Sequence, residues 1–443
     1  MRTWRTEHPE TLVLVLQVAA DLLQAPNTTP DERQRCVVVL LRLLPFCFES
    51  EPEAPLADTF ASRLLEGGSG EGSLIAKIVY ALVHSLFVPG FTITDKVAPI
   101  SDETQEDINL ATHAWAAGVS VDAVCGTQPG AWAPCGSVPA ATVHQRRSAI
   151  LRALVAACCS DIFCHSNQLL VDGSRSDVLG AGLRALAGSG SSSSSAYGKV
   201  LLASLLNTVC SFDPAARGAS APADSLVQAA LQLLCVLLTW KHCTNSSDSS
   251  GQDAWRSSEN AFIELVRQLD NEQQLRFVAA GLARIIAGVV ANDSAFSLFG
   301  STTLTYYREA LIVLWALLTA SSRFAAVVVT SDAFPSLFAH LLFFVHQGRQ
   351  NGTMASVVHI CGLVLLRLSE CAEFGAALSN KCAPRLPFSL AGVVAGTTTQ
   401  ADMLVLLASA LFGNTSAVEY DALLEMFLVV LGNAAPTVCG IGV

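Results

Sequence analysis

The densest grouping of potential ligands in the chain is Cys158-Cys159 with Cys164-His165, three thiols and an imidazole within one short stretch. Such groups bind zinc when paired C-x2-C turns present them to one ion. No such turns accompany this cluster, and Val155, Cys158, Cys159, Ile162 and Phe163 recur at helical spacing, which makes the thiols part of an apolar helix face. The nine histidines include no His-Glu-x-x-His, and His340 and His346 fall on different sides of a helix. Glycines 67, 68, 70 and 72 have the composition of a phosphate loop, yet no Lys-Ser/Thr follows. Gly198-Lys199 is followed by Val200, where a hydroxyl would have to hold magnesium. No Gly-x-Ser-x-Gly elbow occurs. Arg146-Arg147 is too small a basic patch for nucleic acid or anionic lipid and reads as a solvated helix start. The residues therefore point to no catalytic site, no metal and no cofactor.

Composition narrows the classes further. Of 443 residues, 51% are hydrophobic and 14% charged, which excludes a disordered chain. A net charge of -11 argues against a phosphate backbone as partner, because affinity there comes from Lys and Arg releasing counterions. The mean hydropathy of +0.46 raises the question of a membrane. The longest apolar runs, Ser225 to Trp240 and Met403 to Val418, are shorter than the roughly 20 residues a bilayer core requires. The start, Met1-Arg2-Thr3-Trp4-Arg5, does not read as a signal peptide, so a cytosolic chain with free thiols at its 14 cysteines is expected. Sequons at Asn27, Asn245, Asn292, Asn351 and Asn414 then read as polar loop sequence.

Apolar spacing sets the elements that must position any site. Leu12, Val15, Leu16 and Ala19 form one helical stripe; Val37, Leu40, Leu41 and Leu44 form the next, after a short connection. Thr29-Pro30-Asp31-Glu32 predicts a capping box with proline at the first helical position, and Pro45 predicts the helix end. Further stripes run through Phe262, Leu265, Val266 and Leu269, then Leu275, Val278, Ala279, Leu282, Ile285 and Ile286 behind an Asp270-Asn271-Glu272 start. Others follow at Tyr307 to Leu314, Val357 to Val364 and Met403 to Ala410, and Ser416 to Glu419 predicts one more capping box. No sustained period-2 stretch calls for a sheet. The expected fold class is all-α, an irregular α-solenoid of armadillo- or HEAT-like helix pairs with Gly/Ser-rich surface insertions. The expected organisation is an N-terminal helical part (1–171), an insertion (172–198) and a C-terminal part of the same array (199–443). Segments 49–73, 118–138 and 245–258 are expected as further surface insertions or linkers.

Leu202 to Gly218 reads LASLLNTVCSFDPAARG. Collinear with it are LRLLPFCFE from Leu41, HSLFVPGFTI from His84, WAAGV from Trp115, RFVAAGLARII from Arg276 and REALIVLWALL from Arg308. VVHICGLVLLRLSECAEFGAALSNK from Val357 and GTTTQADMLVLL from Gly396 complete the set. Together they resemble the high-temperature-induced dauer formation protein family, relatives of dymeclin. The resemblance implies a cytosolic protein without catalysis, peripheral on Golgi and trans-Golgi membranes, that acts in secretory-vesicle biogenesis and cargo sorting with other trafficking proteins. It also implies a lipidated N-terminus that this chain lacks, since Arg2 follows Met1, and further sequence at both ends. The other reading of the residues is a general α-solenoid adaptor in signalling or transport.

Within these segments Asn207, Asp213 and Pro214 are candidate structural or partner-contact positions. Asp213-Pro214 could cap the following helix, and Asn207 could bond a neighbouring backbone across a helix pair. Phe87, Pro89 and Phe91 either form a peptide-binding edge or plug a core at a helix end.

Overall fold

A computed structural model describes residues 7–49, 73–93, 115, 118–119, 139–159, 163, 192–214, 221–240, 260–293, 306–348, 352–382, 386–387, 392–394, 396–412 and 421–438. Among them the chain is all-α, with fifteen α-helices, no strand and two isolated bridges. Helices pack on others up to three helices away along the chain, as in an irregular α-solenoid. The Cys164-His165 pair, the glycines at 67–72 and the capping sequence at 416–419 lie outside the described residues.

The chain divides into two compact units, residues 1–208 with 218–265, and residues 209–217 with 266–443. The first unit opens with α1 (Pro9–Gln24) and α2 (Pro30–Phe48), which pack together. Their junction is set locally. The Thr29 hydroxyl accepts the Glu32 N–H at 3.3 Å while the Glu32 carboxylate accepts the Thr29 N–H at 2.9 Å, which closes the expected capping box. That Thr29 N–H and then the Thr29 hydroxyl, which donates to the same carboxylate at 2.8 Å, hold the Glu32 carboxyl below its ordinary range. Arg33 turns back under the junction, its guanidinium donating to the carbonyls of Leu23, Ala25 (2.6 Å) and Thr28 (3.2 Å). A cation thereby meets the unsatisfied carbonyls at the C-terminal end of α1. α2 does not stop at Pro45 as the sequence suggests but runs one turn further, to Phe48. Pro45 removes one backbone bond near a helix end where few remain to lose. The extra turn buries Cys47 and Phe48, and Phe48 stacks on Phe163 with centroids 6.4 Å apart.

α3 (Leu74–Ser85), α4 (Ala140–Cys158), α5 (Ser192–Ser211) and α6 (Ala221–Thr239) follow. α4 is central to this unit and packs against α2, α3 and α6. α6 is the one described helix long and apolar enough to cross a membrane, but half of it is buried within the fold and its Ser225 hydroxyl bonds that of Ser148 at 2.8 Å. Buried Asn260 donates to the carbonyls of Leu237 (2.9 Å) and Trp240 (3.0 Å) near the end of α6, and its own carbonyl accepts the Phe262 N–H at the start of α7 (Ala261–Arg267).

In the second unit the last residues of α5 meet α8 (Glu272–Asp293). A Cβ on Gly281 would stand 2.5 Å from the Cys210 Cα, so only glycine admits this approach. Arg284 donates to the Cys210 carbonyl at 2.8 Å. Asn271 accepts the N–H groups of Gln273 (2.9 Å) and Gln274 (3.3 Å) and so caps α8. α9 (Tyr307–Ala320), α10 (Ser322–Thr330), α11 (Phe334–Gly348), α12 (Ala355–Ser369), α13 (Phe374–Leu378), α14 (Gln400–Phe412) and α15 (Asp421–Val438) complete the unit. Phe334, Phe338 and Phe374 form its aromatic centre, with centroids 5.6 to 6.3 Å apart.

Candidate functional site

Three of the family-like segments, from His84, Trp115 and Leu202, come together in the first unit. α3 ends at Ser85 and the chain turns at once. The Leu86 and Phe87 N–H groups bond back to Val83 and His84, each at 3.0 Å, and the Thr92 hydroxyl donates to the Ser85 carbonyl at 2.8 Å. Gly90 supplies the positive φ of 73° that a side chain would resist, and its N–H reaches the Ile93 carbonyl at 3.1 Å. The turn directs Phe87 and Phe91 inward, 3% and 0% exposed, and leaves Pro89 half-buried. These rings are core, not an exposed edge.

α4 brings Arg146 and Arg147 onto this turn. The pair is not the solvated helix start its sequence suggests. Arg147 is 7% exposed and donates twice to the Thr92 carbonyl, at 3.0 and 2.5 Å. Arg146 donates to the Phe91 carbonyl at 3.3 Å, lies 5.1 Å from the Phe91 ring centre and reaches Asp31 at 4.0 Å. Burying a guanidinium carries a desolvation penalty of several kcal/mol, and charged hydrogen bonds and ring faces offset it. The signal was in the spacing, because Arg147 shares a helical face with Val143, Ile150 and Leu154, all buried.

Trp115 completes the aromatic group. The Arg147 guanidinium lies 4.7 Å from the indole centre, the indole N–H donates to the Leu86 carbonyl at 3.2 Å, and the Phe87 ring is 6.0 Å away. The Phe87 ring also lies 6.2 Å from that of Tyr197 of α5, itself edge-on to Tyr80 at 5.7 Å. Ten residues along α5, Asn207 is 1% exposed. Its carbonyl oxygen accepts the Val119 N–H at 2.6 Å, and its amide nitrogen donates to the Val119 carbonyl at 3.1 Å. Asn207 thus bonds backbone, as its residue type allows, but that of Val119, which belongs to no described helix.

Asp213 and Pro214 do not join this group. Asp213 is exposed, and the next described helix begins only at Ala221, so neither residue stands at its first turn. A separate open cavity of about 310 Å³ lies among α2, α4 and α6, walled by Leu41, Pro45, Val155 and Phe163 with Arg152 and Gln228 at its polar side. Burial pushes the thiols of Cys158, Cys210 and Cys361 up, Cys210 to about 12, which keeps them protonated and poor nucleophiles. Among the described residues no group of His, Cys, Asp and Glu could hold a metal ion. The arrangement holds an indole and a peptide backbone.

The family model of the high-temperature-induced dauer-formation protein matches residues 1–443, the full chain. The chain belongs to that family. Protein HID1 of Homo sapiens is 22% identical over 98% of the chain and 56% of its own length, and the Mus musculus protein gives the same figures. Protein HID1 of Dictyostelium discoideum is 24% identical over 82% of the chain and 40% of its own. The chain thus spans about half the length of these relatives. The crystal structure of an engineered protein aligns with 95% of the chain at 13% identity, but its TM-score of 0.20 assigns no fold. In this HID1-family chain the segments from His84, Trp115 and Leu202 build one buried site, even though Asn207 and Val119 stand 88 residues apart in sequence.

Proposed function

We propose that the chain is a non-enzymatic helical scaffold, peripheral on Golgi and trans-Golgi membranes, that acts in secretory-vesicle biogenesis and cargo sorting through other proteins of the trafficking machinery. Membership of the HID1 family over the full chain carries this reading. The helical units support it, because neighbouring helix pairs offer long surfaces for protein partners. The buried polar groups support it too, since Asn207, Arg147 and Arg33 all bind backbone carbonyls and none is set out for a reaction. A scaffold of this kind has protein partners, no cofactor and no nucleic acid. Deleting the gene should lower the fraction of granule cargo that a pulse-chase finds stored, with bulk constitutive secretion unchanged. Normal storage in the deletion would contradict the reading.

A further inference from the structure

The open cavity within the first unit is divided by polarity. Leu41 and Pro45 of α2, Val155 of α4 and the Phe163 ring make one side apolar, and Phe163 is held by its stack on Phe48 at 6.4 Å. Arg152 of α4 with Gln228 and Gln232 of α6 make the other side polar. Helical spacing sets up that side. Ser225, Gln228 and Gln232 fall at i, i+3 and i+7 on one face of α6, and the Ser225 hydroxyl accepts an Arg152 N–H at 3.0 Å. Ser225 is itself tied to the Ser148 hydroxyl at 2.8 Å, so the guanidinium is fixed beside the two glutamines. A guanidinium carries five N–H donors, and among the described residues Arg152 gives one to Ser225 and pairs with no carboxylate. Gln228 and Gln232 are half-buried, with amides bonded to no other described group. Among the described residues no acidic side chain lines the cavity, in a chain whose net charge is -11.

We propose that this cavity is a binding site for a medium-chain fatty carboxylate, with its tail against α2 and Phe163, its carboxylate on Arg152 and the glutamine amides donating to the carboxylate oxygens. A cation without a counter-charge selects an anion, and the flat fork of a guanidinium matches a carboxylate. The apolar side selects a ligand with a tail, because a bare inorganic anion would leave Leu41, Val155 and Phe163 facing water. At about 310 Å³ the cavity stands at the lower edge of ligand sites, which run to roughly 300–1,000 Å³, so the tail is short. The site is independent of where in the cell the protein works.

The test titrates the whole chain with octanoate by calorimetry. Saturable binding with a Kd of about 0.1–1 mM is expected for a ligand of this size. Butanoate, with less tail, should bind at least about tenfold more weakly, and octylamine, with the charge reversed, should not bind. Arg152→Gln, at an exposed position, should leave the melting temperature unchanged and weaken octanoate binding at least about tenfold. Arg323→Gln, exposed in the second unit, should leave it unchanged. Leu41→Trp, which fills the apolar side, should abolish binding in a folded chain; if that variant does not fold, Arg152→Gln decides alone. No saturation by about 5 mM octanoate, or equal affinity in Arg152→Gln and the native chain, overturns the proposal. An acetylated dipeptide ending in leucine presents the same carboxylate at a peptide C-terminus. It should bind more weakly than octanoate, and tighter binding would overturn the fatty-acid assignment in favour of a protein C-terminus.

Discussion

Asn207 and Val119 exchange two hydrogen bonds, 2.6 and 3.1 Å, between one side-chain amide and one backbone residue. Because Asn207 is buried, removing its amide strands a donor and an acceptor without water to replace it. Asn207→Ala should therefore lower unfolding free energy by about 2–4 kcal/mol. Asp213→Ala, at an exposed position six residues on, should stay within about 0.5 kcal/mol. Urea denaturation of both variants checks the pair, and equal midpoints would contradict the assignment.

Arg147 depends on guanidinium shape. One flat cation faces the Trp115 ring and donates two hydrogen bonds to the Thr92 carbonyl, which an ammonium group cannot reproduce. Arg147→Lys should accordingly destabilise by roughly 2–3 kcal/mol, not much less than Arg147→Met, with a red shift of Trp115 emission in both. Full rescue by lysine would show that charge alone suffices.

Gly281 is required by space, since a methyl group there would meet the Cys210 backbone. Gly281→Ala should cost about 1–3 kcal/mol despite alanine's better helix propensity. Gly432 has open space around it, and Gly432→Ala should be neutral or stabilising by up to about 1 kcal/mol. Thermal melts of the two variants should move in opposite directions or differ clearly in size.

Two histidines, His144 buried and His340 half-buried, give stability a pH dependence. His144 is held below the ordinary imidazole value by burial and then by the Arg147 charge, and His340 is lowered by burial. The unfolded chain binds these protons first, so the contribution is complete above about pH 6.5 and is lost as pH falls from there through the lowered native values. Melting temperature should fall between about pH 6.5 and 5, and the double variant His144→Asn, His340→Asn should show a shallower fall. An identical slope in the double variant would remove these residues from the account.

Much of the architecture was legible because it is local. The Thr29-Pro30-Asp31-Glu32 cap, the Asn271 cap and the stripes through Leu275 to Ile286 are set by residues within a turn or two of one another. Pro45 misled because burial of Cys47 and Phe48 by other helices outweighs one lost backbone bond. Arg147 misled because its partners, Thr92 and Trp115, are 55 and 32 residues away, and charge alone suggests solvent. Asn207 was singled out by residue type, but nothing in its neighbourhood names Val119. Asp213-Pro214 carried a capping signature that no described helix uses. Sequence reading thus found the helices and three members of the site, Phe87, Phe91 and Asn207, while the contacts that assemble the site depend on tertiary folding.

The most direct test of the trafficking reading is to tag the gene internally at its native locus and image the product beside a Golgi marker. The account predicts a signal concentrated on Golgi and trans-Golgi membranes that a salt wash of isolated membranes releases, as for a peripheral protein. A diffuse or nuclear signal would contradict it and favour a general adaptor.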